Sequence, residues 1–225
     1  MSDYRLSPSD LTFLWDECKR CFYLKVREKF RRPSAPFPGI FGLIDRLMKD
    51  IYLGNSTKKM TNKLPEGQAI MSGRWVNSAP IRLPNHDITC SIRGLFDTVV
   101  HFEDGSYGIV DFKTTTVKPE HVDFYSRQLR AYAYSLEHPM PGQLHAAPIT
   151  RLGLLCFDPR KMLENEEVGL ELAGPATWLE CPVDEDAFLG FIDEVMTVLE
   201  NPEAPAADPK CTYCAYRDAS RVTGF

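Results

Sequence analysis

The hydrophobic pattern is sharpest at Tyr107-Gly-Ile-Val-Asp-Phe-Lys-Thr114. Gly108 to Phe112 is apolar and partly β-branched, which predicts a buried strand. Asp111 interrupts it, and an ionised carboxylate there is costly unless something pairs with it. Lys113 lies two residues on, so strand geometry sets both side chains on one face. Upstream, Ile92 to Phe102 is a second strand pattern with Asp97 at its middle, and Asp104-Gly105 between the two runs is a hairpin signal. A two-residue turn at Asp104-Gly105 would pair 103 with 106 and set Asp97 opposite Phe112. A three-residue turn over 103–105, with Gly105 left-handed, pairs 102 with 106 and turns Asp97 toward Asp111. The second register is the expected one. Two facing carboxylates repel, and a divalent cation resolves that repulsion. Lys113 beside it would orient an attacking water or stabilise phosphate charge. The bland reading of the same residues is a surface Asp pair and a structural salt bridge.

The remaining pattern fills in around this hairpin. Ser7-Pro-Ser-Asp10 predicts a helix start, with Ser7 as N-cap and Asp10 closing a capping box, and Leu11, Leu14, Trp15 and Cys18 on one stripe. Arg32 to Pro38 predicts a turn-rich loop, 39–53 a helix, and 54–68 a polar loop. Ile70 to Leu83 predicts strand–turn–strand, with Trp75 and Ile81 in the core. Pro119-Glu120 opens a helix that runs to Glu137 and carries Gln128, Ala131, Tyr132 and Ser135 on one face. Residues 149–157 and 177–183 predict two further strands. Residues 184–200 predict an amphipathic helix (Phe188, Phe191, Ile192, Val195, Leu199), followed by a linker over 201–209. His86 and His101 are weak ligand candidates and read as structural.

At 225 residues with 44% hydrophobic content, the chain is long enough for one domain with a full core. It has no run of roughly 18 apolar residues, and Met-Ser-Asp-Tyr-Arg is no signal peptide, so a cytoplasmic protein without membrane contact is expected. The net charge of −5 argues against blanket nucleic-acid binding. The charge is uneven, however. Cys18 to Arg32 holds seven basic residues against Glu28 alone, while 158–208 holds fourteen acidic residues against Arg160 and Lys161. Lys19, Arg20, Lys25 and Arg27, with Arg127 and Arg130 on the later helix, are therefore candidates for tracking a phosphate backbone. A solvated helix face is the alternative.

Seven cysteines are an odd number for a disulfide framework, and a reducing compartment is expected. Cys90, Cys156 and Cys181 sit singly in strand patterns and read as core residues. Cys18-x-x-Cys21 and Cys211-x-x-Cys214 have chelating spacing and would clip the two ends of the chain together. Spacing alone favours Zn2+ over a [4Fe–4S] cluster, and both take four thiolates.

Taken together, Asp97, then Asp111-Phe112-Lys113, then Gln128 and Tyr132 resemble the PD-(D/E)XK nuclease superfamily, in particular its RecB-like exonucleases and the small CRISPR-associated iron–sulfur nucleases. The resemblance spans Ser7 to about Ser220. It implies a restriction-endonuclease-like α/β fold in which a central mixed sheet is flanked by helices. One nuclease domain would occupy 1–225, with a core over 39–200 and a cysteine lobe made of 1–32 and 202–225. It further implies a Mg2+- or Mn2+-dependent deoxyribonuclease, single-strand or end-directed and exonucleolytic; the alternatives are a non-catalytic DNA-binding subunit that keeps the nuclease fold and a cysteine-cluster metalloprotein such as a redox sensor. Asp97, Asp111 and the Phe112 carbonyl would hold the ion, Lys113 would assist the water, and Gln128 and Tyr132 would support the site. DNA is the implied substrate, repair or antiviral defence the implied setting, and a helicase or a CRISPR-adaptation or repair protein the implied partner. In Gly42-Leu-Ile-Asp45 an aspartate stands where the family has a histidine ligand, so Asp45 is a candidate third ligand. The family's cluster ligands, one N-terminal and three C-terminal cysteines, correspond here to Cys18, Cys211 and Cys214. Ser220 stands at the last position and Cys21 is extra, and the resemblance tips the expected metal toward [4Fe–4S].

Overall fold

The computed structural model describes residues 3–33, 38–167 and 169–222. The expected turn over Arg32–Pro38 therefore lies partly outside the described residues. Strand β1 (Asp3–Leu6) leads into a helical stretch α1, a π-helical turn over Asp10–Leu14 continued by Trp15–Glu17, and then helix α2 (Lys19–Val26). Helix α3 (Gly39–Tyr52) precedes β2 (Gly67–Asn77), β3 (Thr89–Phe102) and β4 (Tyr107–Thr114). Helix α4 (Glu120–Glu137) crosses to β5 (Ile149–Phe157). A hairpin of β6 (Lys161–Asn165) and β7 (Gly169–Ala173), then β8 (Ala176–Cys181), α5 (Glu185–Glu200) and α6 (Thr212–Val222), complete the described chain.

The sheet is mixed. Its order is β1-β3-β4-β5-β8, and β2 also pairs with β3. The β4–α4–β5 crossover makes β4 and β5 parallel, while β3–β4 and β5–β8 are antiparallel. Alternation along β4 divides the core. Ile109 packs with Leu129, Tyr132 and Leu136 of α4, whereas Val110 and Phe112 pack with Ile44 and Met48 of α3. The two helices thus flank the sheet. α3 buries only Ile44 and Met48, leaving Ile40, Leu43, Leu47 and Ile51 exposed. The polar run after it is pinned, because Met60 and Leu64 are buried and the Thr57 hydroxyl donates to the Pro65 carbonyl at 2.6 Å.

Two expectations change here. Residues 67–77 form one continuous strand, and Trp75 is 59% exposed, with Arg93 over its ring. A bulge between Ala69 and Met71 shifts the alternation by one residue, so Val76 turns inward in place of Trp75. The Ser7 hydroxyl accepts the Asp10 N–H at 3.3 Å, but the Asp10 carboxylate pairs with Lys25 at 2.6 Å and does not complete the capping box.

The third cluster joins the two ends of the chain. Leu6, Leu11, Trp15, Phe22 and the four paired cysteines pack against Phe188, Ile192 and Leu199 of α5. The loop before β3 is clamped to α5 as well. His86 contacts Glu200 at 2.7 Å and Asp193 at 2.9 Å. Burial works against the imidazolium, but Glu200 and Asp193 outweigh it and raise the His86 pKa. Because the folded-state pKa is the higher one, this stabilisation is complete below the ordinary value of about 6.5 and is lost as pH rises through the raised value. His86→Gln is therefore expected to lower the thermal midpoint more at about pH 6 than at about pH 9. Equal losses at both would contradict the assignment.

Candidate active site

The β3–β4 hairpin pairs Thr98 with Val110 and His101 with Tyr107, the register in which Phe102 meets Ser106. Gly105 closes the turn at φ +85°, donating its N–H to the Phe102 carbonyl. The paired ladder ends at Thr98–Val110, and just beyond it the Asp97 side chain reaches across to the next strand. One Asp97 oxygen accepts the Phe112 N–H at 2.8 Å, so the backbone of one strand orients the acid of the other. Asp111 is 2% exposed and touches the Lys113 ammonium directly. Burial, with the neighbouring Asp97 charge added, pushes the Asp111 carboxyl well above the usual carboxylate range against the pull of Lys113. Burial disfavours the Lys113 ammonium, but Asp111 and Asp97 overcome it and raise its pKa.

Helix α4 closes the site from below. The Gln128 amide N–H reaches Asp111 Oδ1 at 3.4 Å and Tyr132 Oη at 3.3 Å. The Tyr132 hydroxyl donates to the Leu95 carbonyl at 2.8 Å. Burial, then the Asp111 charge, raises the Tyr132 pKa, so the phenol stays protonated as a donor. This packing depends on Gly94. A Cβ there would lie 2.7 Å from Pro8 Cδ and 2.8 Å from Tyr132 Cε1. Gly94→Ala is expected to push the tyrosine ring aside, with a stability loss of about 1–3 kcal/mol. Cleavage should fall as well. Thermal denaturation and a cleavage assay check this, and a fully active, fully stable variant would show that the ring moves freely.

Asp45 reaches this centre through an intermediary. Lys49 of α3 contacts Asp45 Oδ2 at 2.7 Å and Asp97 Oδ1 at 2.7 Å. Burial disfavours the Lys49 ammonium, but Asp97 and Asp45 outweigh it and hold its pKa up. Sequence reading missed Lys49, although Asp45 and Lys49 form an i,i+4 pair that could have drawn attention. It also missed Tyr125, whose ring centroid lies 4.9 Å from Lys113 Nζ. Only residues distant in sequence create that contact.

The donor set fits a hard divalent ion. Asp97 and Asp111 offer carboxylate oxygens at adjacent strand positions, and Phe112 lies between Asp111 and Lys113 with its N–H already on Asp97. Two ammonium groups, Lys49 and Lys113, sit against these acids, which marks the site's demand for positive charge. Among the described residues the buried Gln128 Oε1 has no hydrogen-bond partner, so an acceptor beside Asp111 stands ready for a water or ligand.

A second cluster lies at the chain ends. Cys18, Cys21, Cys211 and Cys214 are all buried, and their sulfurs all lie within 4.8 Å of one another. The six basic candidates are spread around this end and α4, and most are engaged within the fold. Arg27 donates to the Leu199 and Asn201 carbonyls, Lys25 pairs with Asp10, and Arg20 with Asp218. Arg127 pairs with Asp16 at 2.5 Å, Arg130 donates to the Pro182 carbonyl, and Lys19 lies over Trp15. No helix among the described residues is long and apolar enough to cross a membrane.

Comparison with known proteins gives the fold and the family. No curated protein matches the chain. Among solved structures, it is similar to one described as the crystal structure of SSO0001, at 14% identity and a TM-score of 0.55. That likeness covers 95% of this chain and 84% of the other, and it concerns the fold alone. The family model described as the PD-(D/E)XK nuclease superfamily matches residues 68–219, which include both strands of the hairpin, α4 and the Cys211/Cys214 pair. The chain belongs to the PD-(D/E)XK nuclease superfamily, which implies phosphodiester cleavage and, usually, the use of divalent metal ions.

Proposed function

We propose that this protein is a Mg2+- or Mn2+-dependent deoxyribonuclease that hydrolyses phosphodiester bonds exonucleolytically, from single strands or duplex ends. One observation carries the reading: Asp97, Asp111 and Lys113 converge on paired strands, with Gln128 and Tyr132 packed beneath them. When bound, the divalent ion supplies Lewis acidity and a water of lowered pKa. Asp97, Asp111 and the Phe112 carbonyl would hold it, with Asp45 contributing from α3. Lys113 lies directly against Asp111, so its ammonium stands beside the ion these acids would hold. Its role is to position the attacking water and to stabilise charge developing on the phosphate. Gln128 fixes the Asp111 carboxylate, and Tyr132 fixes Gln128 and the Leu95 backbone.

The resemblance to RecB-like enzymes supports the end-directed mode. The ion pairs of Arg20 and Arg127 are partly solvated, and such pairs are worth little, so a phosphate can exchange into them. Lys19 adds charge nearby, while Lys25, Arg27 and Arg130 would help through the local field. The test is cleavage of end-labelled single-stranded, duplex and covalently closed circular DNA in Mn2+. Lys113→Ala is expected to lower kcat by roughly 10²- to 10³-fold, with KM changed only a few-fold. Label position reads direction, and the circle separates exonuclease from endonuclease. A folded, Mn2+-loaded wild type that cuts none of these substrates would refute the nuclease reading.

A further inference from the structure

The metal expected from the family resemblance does not fit the four cysteines. The Sγ–Sγ separations are 3.9 Å for Cys18–Cys214, 3.7 Å for Cys21–Cys211 and 3.4 Å for Cys21–Cys214. Four Zn–S bonds of about 2.3 Å at the tetrahedral angle put the sulfurs roughly 3.8 Å apart. In a [4Fe–4S] cluster each thiolate binds a different iron and points away from the cube, which sets the sulfurs roughly 6 Å apart. All four sulfurs here lie within 4.8 Å of one another, too close to enclose four irons and four sulfides. We infer that Cys18, Cys21, Cys211 and Cys214 hold one tetrahedral Zn2+ ion and not an iron–sulfur cluster.

The surroundings suit that ion. Cys18 caps the N-terminus of α2, with its carbonyl accepting the Phe22 N–H at 3.0 Å, and Cys21 lies in the first turn. Cys211 stands in the same relation to α6, with its carbonyl accepting the Ala215 N–H at 3.0 Å, and Cys214 lies in that first turn. Two helix N-termini therefore aim at one point from opposite ends of the chain. Their partial positive charges favour thiolates. Four thiolates around a divalent ion leave two negative charges. Arg32 meets part of this, donating to Cys211 Sγ at 3.2 Å while paired with Glu17 at 2.6 Å. The Cys214 N–H points to the same sulfur at 3.5 Å. Ser220, where the family's last cysteine would stand, donates its hydroxyl to the Arg217 carbonyl, so it serves helix α6. Cys21 supplies the fourth thiolate in its place.

The test is elemental and sulfide analysis of the full chain, expressed with both iron and zinc in excess and purified without oxygen. The expected result is about one zinc per chain, with neither iron nor acid-labile sulfide in stoichiometric amount. Cys21→Ser and Cys211→Ser should each lose most of the zinc. To keep the test independent of the folding of those variants, the wild type is also loaded with Co2+. The visible bands of tetrahedral cobalt thiolate are expected. Iron with matching sulfide, an octahedral cobalt spectrum, or a folded chain without any bound metal would each overturn the assignment. None of these readouts depends on nuclease activity.

Discussion

Asp111→Asn is expected to abolish DNA cleavage while leaving the protein folded, with a thermal midpoint close to wild type. The two halves of this prediction have different origins. Asparagine keeps the shape of the side chain and its contact with Gln128 Nε2, so packing beneath the sheet persists. What it removes is one of two acids that face each other at the centre of the hairpin. In the native chain, burial and the Asp97 charge both oppose ionisation of Asp111. Neutralising it relieves that opposition but takes the ionic partner from Lys113, and the two effects offset each other in part. Chemistry has no such compensation. A neutral amide cannot replace a carboxylate ligand, and losing about 4 kcal/mol of transition-state stabilisation corresponds to on the order of 10³-fold in rate. Single-turnover cleavage in saturating Mn2+, beside a thermal melt, separates the two. More than about a tenth of wild-type activity in the variant would remove Asp111 from the metal site. Inactivity together with a collapsed melt would assign it a structural role instead.

Much of this centre was legible because its signals are local or strictly ordered. Asp104-Gly105 needs a left-handed residue in a tight turn, and once the turn length is chosen the register of the hairpin, Thr98 against Val110, follows by counting. Gln128 and Tyr132 share a helix face by periodicity alone. The cysteine pairs were legible as chelating motifs, but the closeness of their sulfurs was not, because spacing in sequence does not report the distance between them. Other features depend on events no pattern announces. The bulge in β2 reverses the alternation and sends Trp75 outward. β1 is four residues long and exists through its parallel pairing with Thr89–Ile92, far away in sequence. Lys49 joins Asp45 to Asp97 only because α3 lies against the hairpin. The basic run after Cys18 looked like a surface for phosphate, yet Arg27 caps the carbonyl end of α5 and Lys25 holds Asp10. Charge in sequence counts groups, and only the fold shows which of them are already satisfied.

Removing the metal from the terminal cysteines should produce the largest stability change in the molecule, whichever ion it is. Cys21 and Cys211 are 190 residues apart, so a metal between them closes almost the whole chain into a loop. Treated like a covalent cross-link of that length, the closure contributes about 5 kcal/mol by restricting the unfolded chain. For a chain of this size each kcal/mol moves the midpoint by about 2–4 °C, which gives a fall of roughly 10–20 °C. The effect should not stay local, because the four cysteines belong to the same apolar cluster as Trp15, Phe188 and Ile192. Some ties between the chain ends would survive. The Tyr23 hydroxyl bonds to the Asn201 carbonyl, Arg27 to the Leu199 carbonyl, and Arg20 pairs with Asp218. Arg127 on α4, next to Gln128, also holds Asp16 of α1. The demetallated lobe is therefore expected to loosen while the hairpin and its carboxylates keep their register. At low temperature, cleavage should then persist within a few-fold of wild type, and it should disappear at the lowered midpoint. Calorimetry of Cys211→Ser beside the intact chain, with cleavage assayed across temperature, tests both parts. A midpoint shift below about 3 °C would mean that the protein contacts alone hold the ends together. Loss of cleavage at low temperature, with the hairpin still folded, would mean that the lobe shapes the DNA path and not only the stability of the chain.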